Sequence, residues 1–240
     1  MESHGAKTCT AALQSGGGKP SKRAEETGKN LTASDTEQYK IHCVNNTDEN
    51  YYFGVYQDFP KSPGLRSVAW QVRKVAKRGS HPTRADVDWV MEYGITLTDW
   101  DENLDKFTGT LQEKAELGNE YQAISDGEFQ VIDPNPTGQT SKGQVVFRNN
   151  TKNPYAMDLN MGFTIDGKII ASKRDVHPNE FTLFDVHPQY FVACFRNIEL
   201  GQLVDSGIVL GPLEVQFVDG SKTMTVEALI DGGEYKLVMY

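Results

Sequence analysis

The chain has 240 residues, 33 acidic against 24 basic side chains, a formal net charge of −9 and three cysteines. That length suits one large all-β domain or a duplicated smaller one, and it buries about 70% of the unfolded surface, so no metal or disulfide is needed to hold a core. The acidic balance repels phosphate backbones, which excludes nucleic-acid binding outside a locally basic face. Cys9, Cys43 and Cys194 form no CxxC pair and make neither a disulfide framework nor a zinc site.

Residues 1–36 are rich in Ser, Thr, Gly, Lys, Ala and Glu, with almost no large apolar side chain. Such a segment cannot bury enough surface to offset the entropy of ordering, and a disordered tail is expected. It contains no apolar run of signal-peptide length, and nothing later is long enough for a spanning helix, so a cytoplasmic protein is the default expectation.

From Tyr39 onward, short strand-like runs follow one another to the C-terminus, at 39–44, 51–57, 67–75, 88–97, 107–111, 128–132, 144–148, 156–165, 181–184, 190–195, 213–217, 223–230 and 234–239. Two of them alternate strictly. Trp89, Met91, Tyr93, Ile95 and Leu97 mark one; Met157, Leu159, Met161, Phe163 and Ile165 mark the other. Only a β-strand puts every second side chain on one face. Asp-Gly pairs at 166–167 and 219–220 supply the positive φ angles of two-residue hairpins. The dense Glu and Lys of 111–120 predict one short helical piece. Many short strands with little helix predict an all-β, antiparallel β-sandwich, with 37–240 as a single domain.

The segment Cys43-Val44-Asn45-Asn46-Thr47 before Tyr51 echoes Phe147-Arg148-Asn149-Asn150-Thr151 before Tyr155. Two readings stand: two similar halves from a duplication breaking around 133–142, or chance reuse of ordinary turn residues. Three Asn-x-Ser/Thr sequons, at Asn30, Asn45 and Asn149, carry no glycan on the cytoplasmic reading, and the last two are expected in turns.

The search for chemistry is mostly negative. No GxSxG elbow, phosphate-cradling loop, GxGxxG after a strand or HExxH occurs. No metal or cofactor is expected, and three His-Pro steps, at His81, His177 and His187, read as turns rather than as ligands gathered with Asp185. The basic run Arg73, Lys74, Lys77, Arg78 and Arg84 reads as a solvated strand end. Asp99 and Asp101 flank Trp100, a tryptophan outside the core pattern, and Tyr52 adds an aromatic on the second face of its strand. Carboxylates beside aromatics are how many sugar sites are built, so Trp100, Asp99, Asp101 and Tyr52 are the candidate ligand contacts.

With these residues in view, the folded part resembles the RhiA-type family, whose namesake is a rhizosphere-expressed protein of root-nodule bacteria. The resemblance rests on Tyr56-Gln57-Asp58-Phe59-Pro60 leading into Ser67-Val68-Ala69-Trp70, and on the Trp89 strand. His187-Pro188-Gln189-Tyr190-Phe191-Val192-Ala193 and Gly201-Gln202-Leu203-Val204-Asp205 complete it. The acidic stretch 101–120, the basic segment 73–84 and the tail depart from the pattern. The resemblance implies a soluble β-sandwich tied to an organism's surroundings or secondary metabolism, and it brings no catalytic residues. The leading expectation is a non-enzymatic protein that binds a small molecule, glycan or protein partner through end loops. A cofactor-free cyclase or isomerase is the first rival. A membrane-interacting sandwich, not favoured by the charge, is the second.

Overall fold

A computed structural model describes residues 38–59, 61–186, 189–205, 207–217 and 220–240. The first half of these residues supplies β1 (Gln38–Asn45), β2 (Tyr51–Gln57), β3 (Arg66–Ser67), β4 (Gln71–Val75), β5 (Arg84–Val90), β6 (Tyr93–Asp101), β7 (Lys106–Lys114), β8 (Asn119–Asp126) and β9 (Phe129–Ile132). The second supplies β10 (Gly138–Gln139), β11 (Gln144–Asn149), β12 (Leu159–Ile165), β13 (Lys168–Val176), β14 (Phe181–Asp185), β15 (Tyr190–Phe195), β16 (Ile208–Val215), β17 (Thr223–Asp231) and β18 (Glu234–Met239). The described residues contain no helix.

Four sheets result, in the orders β18-β17-β1-β5, β16-β15-β2-β4, β3-β13-β12-β6-β7 and β10-β8-β11-β14, with β9 also on β8. The first two face each other across an aromatic core. There Trp89 of β5 packs on Trp70 at 5.1 Å and on Tyr190 of β15 at 5.1 Å, and Tyr39 stacks on Trp89. The other two sheets face each other through Phe163 of β12 and Phe184 of β14, 5.1 Å apart. Inward residues of alternating strands from both pairs thus fill one continuous apolar core, the arrangement that side-chain alternation predicts.

One wiring pattern occurs twice. β1 runs antiparallel to β5 and parallel to β17, while β11 runs antiparallel to β14 and parallel to β8. β2 lies between β4 and β15, with β16 outside; β12 lies between β13 and β6, with β7 outside. The first sandwich therefore takes four strands from each half of the chain, and the second takes five from each. The two parallel pairings are the departure from a purely antiparallel fold, and they fall where one half hands a strand to the other.

The turn after β1 and the turn after β11 are built from the same hydrogen bonds. Asn45 Nδ2 donates to the carbonyls of Glu49 (2.8 Å) and Val75 (3.2 Å), and its Oδ1 accepts from Thr47 N–H (3.0 Å) and Oγ1 (2.7 Å). Asn149 Nδ2 donates to Met157 O and Val176 O, each at 2.8 Å, and its Oδ1 accepts from Thr151 N–H (3.1 Å) and Oγ1 (2.7 Å). Asn45 and Asn149 are both 0% exposed. A buried amide with every hydrogen committed is an obligatory structural element.

Three sequence expectations are corrected. Residues 111–120 are no helix: 111–114 continue β7 and 119–120 open β8, because Leu111, Gln112, Glu113 and Lys114 pair along β6 and the charged side chains lie on an exposed edge. The 88–97 run is two strands. The chain leaves one sandwich at Val90 and enters the other at Tyr93, and the alternation simply continues across the crossover. The turn at 219–220 joins no hairpin, since β16 and β17 lie in different sheets; Asp219 itself is outside the described residues. Asp166-Gly167 does close the β12–β13 hairpin, with φ of 52° and 70°. The 168–176 strand went unread, its alternation masked by Lys173-Arg174-Asp175. The tail expected at 1–36 also lies outside the described residues.

Candidate functional site

The residues singled out from sequence do not meet. Asp99, Trp100 and Asp101 are consecutive on β6, so the two carboxylates face one way and the indole the other. Asp99 and Asp101 are exposed. Asp101 Oδ1 accepts the N–H groups of Asn103 (2.9 Å) and Leu104 (3.3 Å) and so caps its own turn. Trp100 is not an exposed loop residue. Phe107 lies 4.6 Å from its ring, the Arg174 guanidinium sits 5.0 Å over it, and its Nε1 is buried. With Val68, Phe107, Leu203 and Ile169 it forms a small second core. Tyr52 stands on β2, half-buried beneath the Lys74 ammonium at 5.6 Å, in a different sheet.

The histidines make turns and pairs. His177 Nδ1 contacts Asp158 at 2.7 Å, and the hydrogen bond to that carboxylate, with its charge, holds the imidazole pKa above its ordinary value. His42 meets Asp86 at 2.7 Å, and that hydrogen bond holds the Asp86 carboxyl below its ordinary value. Among the described residues no three His, Cys, Asp or Glu side chains converge as metal ligands. His187 is outside the described residues. The basic run is partly spent: Arg73 Nε donates to Asp86 O and Arg84 Nε lies 3.6 Å from the Asp86 carboxylate.

Cys43 and Cys194 are buried free thiols in the first core. Burial pushes Cys43 up to about 12 and raises Cys194 as well, so neither forms thiolate near neutrality. Iodoacetamide at pH 8 is expected to leave both unmodified in the native protein and to label both in denaturant, read by peptide mass mapping. Labelling of either in the native state refutes this assignment.

The candidate site lies elsewhere, along β7. A groove of 440 Å³ runs beside residues 106–112, closed on one side by Gly167, Lys168 and Ile169 of the β12–β13 hairpin and at one end by Leu200 and Gly201. Its floor holds Trp70, Thr96 and Phe107, all essentially buried. The groove lies where β7, at the edge of the third sheet, comes into contact with β13 of the same sheet. A Cβ on Gly162 would stand 2.9 Å from Thr96 Cγ2 and 3.0 Å from Thr98 Cγ2, so only glycine fits beneath these threonines. Gln112 reaches across, donating to Thr164 Oγ1 at 3.2 Å.

The counterpart face in the other sandwich is filled. Thr98 pairs with Gly109 across β6 and β7, and Leu97 with Leu111, with a bulge between. The matching pairs across β15 and β16 are Phe195 with Ile208 and Cys194 with Leu210, with a bulge at the same place. Phe195 is fully buried, its ring lying over Gly54, the residue that corresponds to Gly162. Where one sandwich pairs Phe195 with Ile208, the other pairs the buried Thr98 with Gly109, and Gly109 lines the groove.

The groove's two ammonium groups are ion-paired, Lys106 with Glu199 at 2.7 Å and Lys168 with Asp166 at 3.3 Å. Its lining includes no carboxylate or imidazole. It offers a ligand an aromatic floor with hydroxyl and amide rims. Sequence reasoning missed it because its floor and rim come from residues 70, 96, 106–112, 167–169 and 200–201. The uncharged run Phe107-Thr108-Gly109-Thr110-Leu111-Gln112 was the available signal.

Two facing pairs of sheets, wired alike, define an all-β protein of doubled sandwich architecture. The model of the RhiA family matches residues 36–235, and the chain belongs to that family. No curated protein and no solved structure gives a significant match. No helix among the described residues is long and apolar enough to cross a membrane.

Proposed function

We propose that this RhiA-family protein is a non-enzymatic binding protein, taking a small molecule, glycan or protein segment in the groove along β7. The observation that supports the reading is the contrast between matched faces: Phe195 pairs with Ile208 on one, and Gly109, where the other has its counterpart of Ile208, lines the groove. We read the two halves as descendants of one duplicated unit, in which a packed face was emptied on one side only. Emptying a packed face forfeits burial and dispersion, a cost that a binding function would offset.

The membrane reading is the weaker one. Tyr51 is buried, and Tyr52 and Trp100 are half-buried under cationic side chains, so the three form no exposed aromatic edge.

The test is a thermal-shift screen of glycans, lipids, metabolites and short peptides against the wild-type chain and Gly109→Ile. A Cβ at Gly109 meets Thr96 Oγ1 at 3.2 Å and Ile169 at 3.7 Å, so isoleucine projects into the groove with little displacement of its neighbours. A ligand at a hundred times its Kd raises the wild-type midpoint by roughly 5–10 °C. The variant is expected to fold and show no shift. Turnover of a bound compound, or equal binding by Gly109→Ile, overturns the proposal.

A further inference from the structure

We infer that β7 is a docking edge for an extended, uncharged segment of a partner protein. The segment adds to the third sheet as a further strand and seats a large apolar side chain in the groove. This rests on the groove reading above and names the class of ligand. β7 is the outer strand of its sheet, and pairing on its free side has already begun: Phe107 N–H donates to Gly201 O at 2.9 Å, and Lys106 bridges Gln202 in antiparallel sense. The pairing then stops. Backbone groups alternate between the two sides of a strand. Phe107 N–H points outward to Gly201 and Ala115 N–H inward to Tyr93 O, so Gly109, Gln112 and Lys114 turn their backbone groups away from β6. Among the described residues, no strand pairs with β7 on that side beyond the Lys106–Gln202 bridge, and no loop backbone accepts from these three N–H groups.

Open edges are a hazard that proteins ordinarily blunt with proline, charge or a covering group. This chain does so elsewhere. On β5 the outward carbonyls of Asp86 and Asp88 are taken by Arg73 Nε and Gln71 Nε2, each at 3.0 Å. The more telling case is β16, the counterpart of β7. Leu111 and Glu113 pair with Leu97 and Ile95; Leu210 and Leu213 pair with Cys194 and Val192. Between those matched pairs β7 has Gln112, whereas β16 has Gly211-Pro212. Proline offers no N–H to an incoming strand. The edge beside the filled face is blocked, and the edge beside the open groove is not. Residues 107–112 carry no charge and no proline.

The partner's chemistry follows from the groove. A strand laid on β7 directs alternate side chains toward Phe107, Ile169 and Leu200, which accept a large apolar group. A second copy of β7 fits poorly, because its central Thr108-Gly109-Thr110 cannot fill 440 Å³. The uncharged centre of β7 favours uncharged β-branched or aromatic cross-strand neighbours.

The test pans a displayed library of random dodecapeptides against the full chain and measures the selected peptides, made synthetically, by fluorescence anisotropy. Selected peptides are expected to carry apolar residues at alternate positions. Gln112→Pro, which copies the β16 block at an N–H that points away from β6, is expected to weaken them roughly tenfold or more, with the thermal midpoint lowered by roughly 2–4 °C for the lost Gln112–Thr164 hydrogen bond. N-methylating alternate peptide bonds of the best binder should weaken it to a similar extent on the wild-type chain, a readout that needs no mutant to fold. Failure to select any peptide, or equal binding by Gln112→Pro and by the N-methylated peptide, overturns the proposal. So does a dimer in sedimentation that Gln112→Pro dissociates, since the occupant would then be a second copy. Small-molecule binding lost in Gly109→Ile but kept in Gln112→Pro leaves the groove reading standing and removes the strand-addition proposal alone.

Discussion

Asn45→Ala and Asn149→Ala are each expected to lower the unfolding free energy by about 3 kcal/mol, because a buried polar group left without its partner costs about 1–3 kcal/mol. Each substitution takes the asparagine partner from two carbonyls and one N–H, and one of the carbonyls keeps a threonine hydroxyl. At Asn45 the Val75 carbonyl and the Thr47 N–H lose it, while Glu49 O still accepts from Thr47 Oγ1. At Asn149 the Val176 carbonyl and the Thr151 N–H lose it, while Met157 O still accepts from Thr151 Oγ1. For a chain of this size that loss is a midpoint shift of roughly 6–12 °C. Urea and thermal denaturation measure it. The neighbouring asparagines provide the contrast. Asn46 and Asn150 each use the side-chain amide once, toward Glu227 and Gln122, nearer the surface. Their alanine variants should lose less than about 1 kcal/mol. Because the bonding at the two turns is the same, the two large losses should match and, lacking shared partners, should add in the double variant. A loss at only one turn would mean that the second asparagine is dispensable.

Much of the fold was legible and little of the site. Strict alternation identified the strands around Ile95 and Met161 because one face of each packs on a core, and that face must be apolar whatever the chain does next. The same rule could not say where Trp89 and Ile95 part company. Alternation is a property of each strand, while the crossover at Met91-Glu92 is decided by which sheet the following residues join. The Asp-Gly at 166–167 closed a hairpin and the one at 219–220 did not, since a turn fixes local φ and ψ but not the pairing partner. The Asn-Asn-Thr echo was visible as letters. What gives it meaning is carbonyls 30 and 27 residues away that each asparagine reaches, and sequence does not reveal those. Trp100 drew attention because polar residues surround it. In three dimensions Phe107 and Arg174 cover it, and an alternating polar neighbour is simply the other face of the same strand. The groove is lined by Gly109 where the matched strand has Ile208, a difference that registers only once β6–β7 and β15–β16 are superimposed strand by strand.

Gly201→Ala is expected to cost about 3 kcal/mol, from strain at a positive φ together with a backbone clash. Gly201 has φ of 81°, and a Cβ placed there would stand 2.4 Å from the carbonyl oxygen of Phe107. That atom belongs to the backbone of β7 and cannot rotate aside as a side chain would. Relief requires the 201–203 segment to lift from β7, breaking Phe107 N–H to Gly201 O and the Gly201 N–H to Ala69 O bond. The matched control is Gly233→Ala. Gly233 has φ of 88°, but a Cβ there meets nothing within 4 Å, so the left-handed backbone alone is charged, about 1–2 kcal/mol. Denaturation of the two variants separates strain from collision. Equal losses would mean that the approach of Gly201 to β7 is loose and the groove's closed end is not fixed. A larger loss at Gly201 ties the segment leading into β16 to β7, and so ties one sandwich to the edge of the other. It also carries a consequence for binding: with Gly201 displaced, the groove loses its end wall and the first bridge that any added strand would extend, so peptide affinity should fall in Gly201→Ala and stay unchanged in Gly233→Ala.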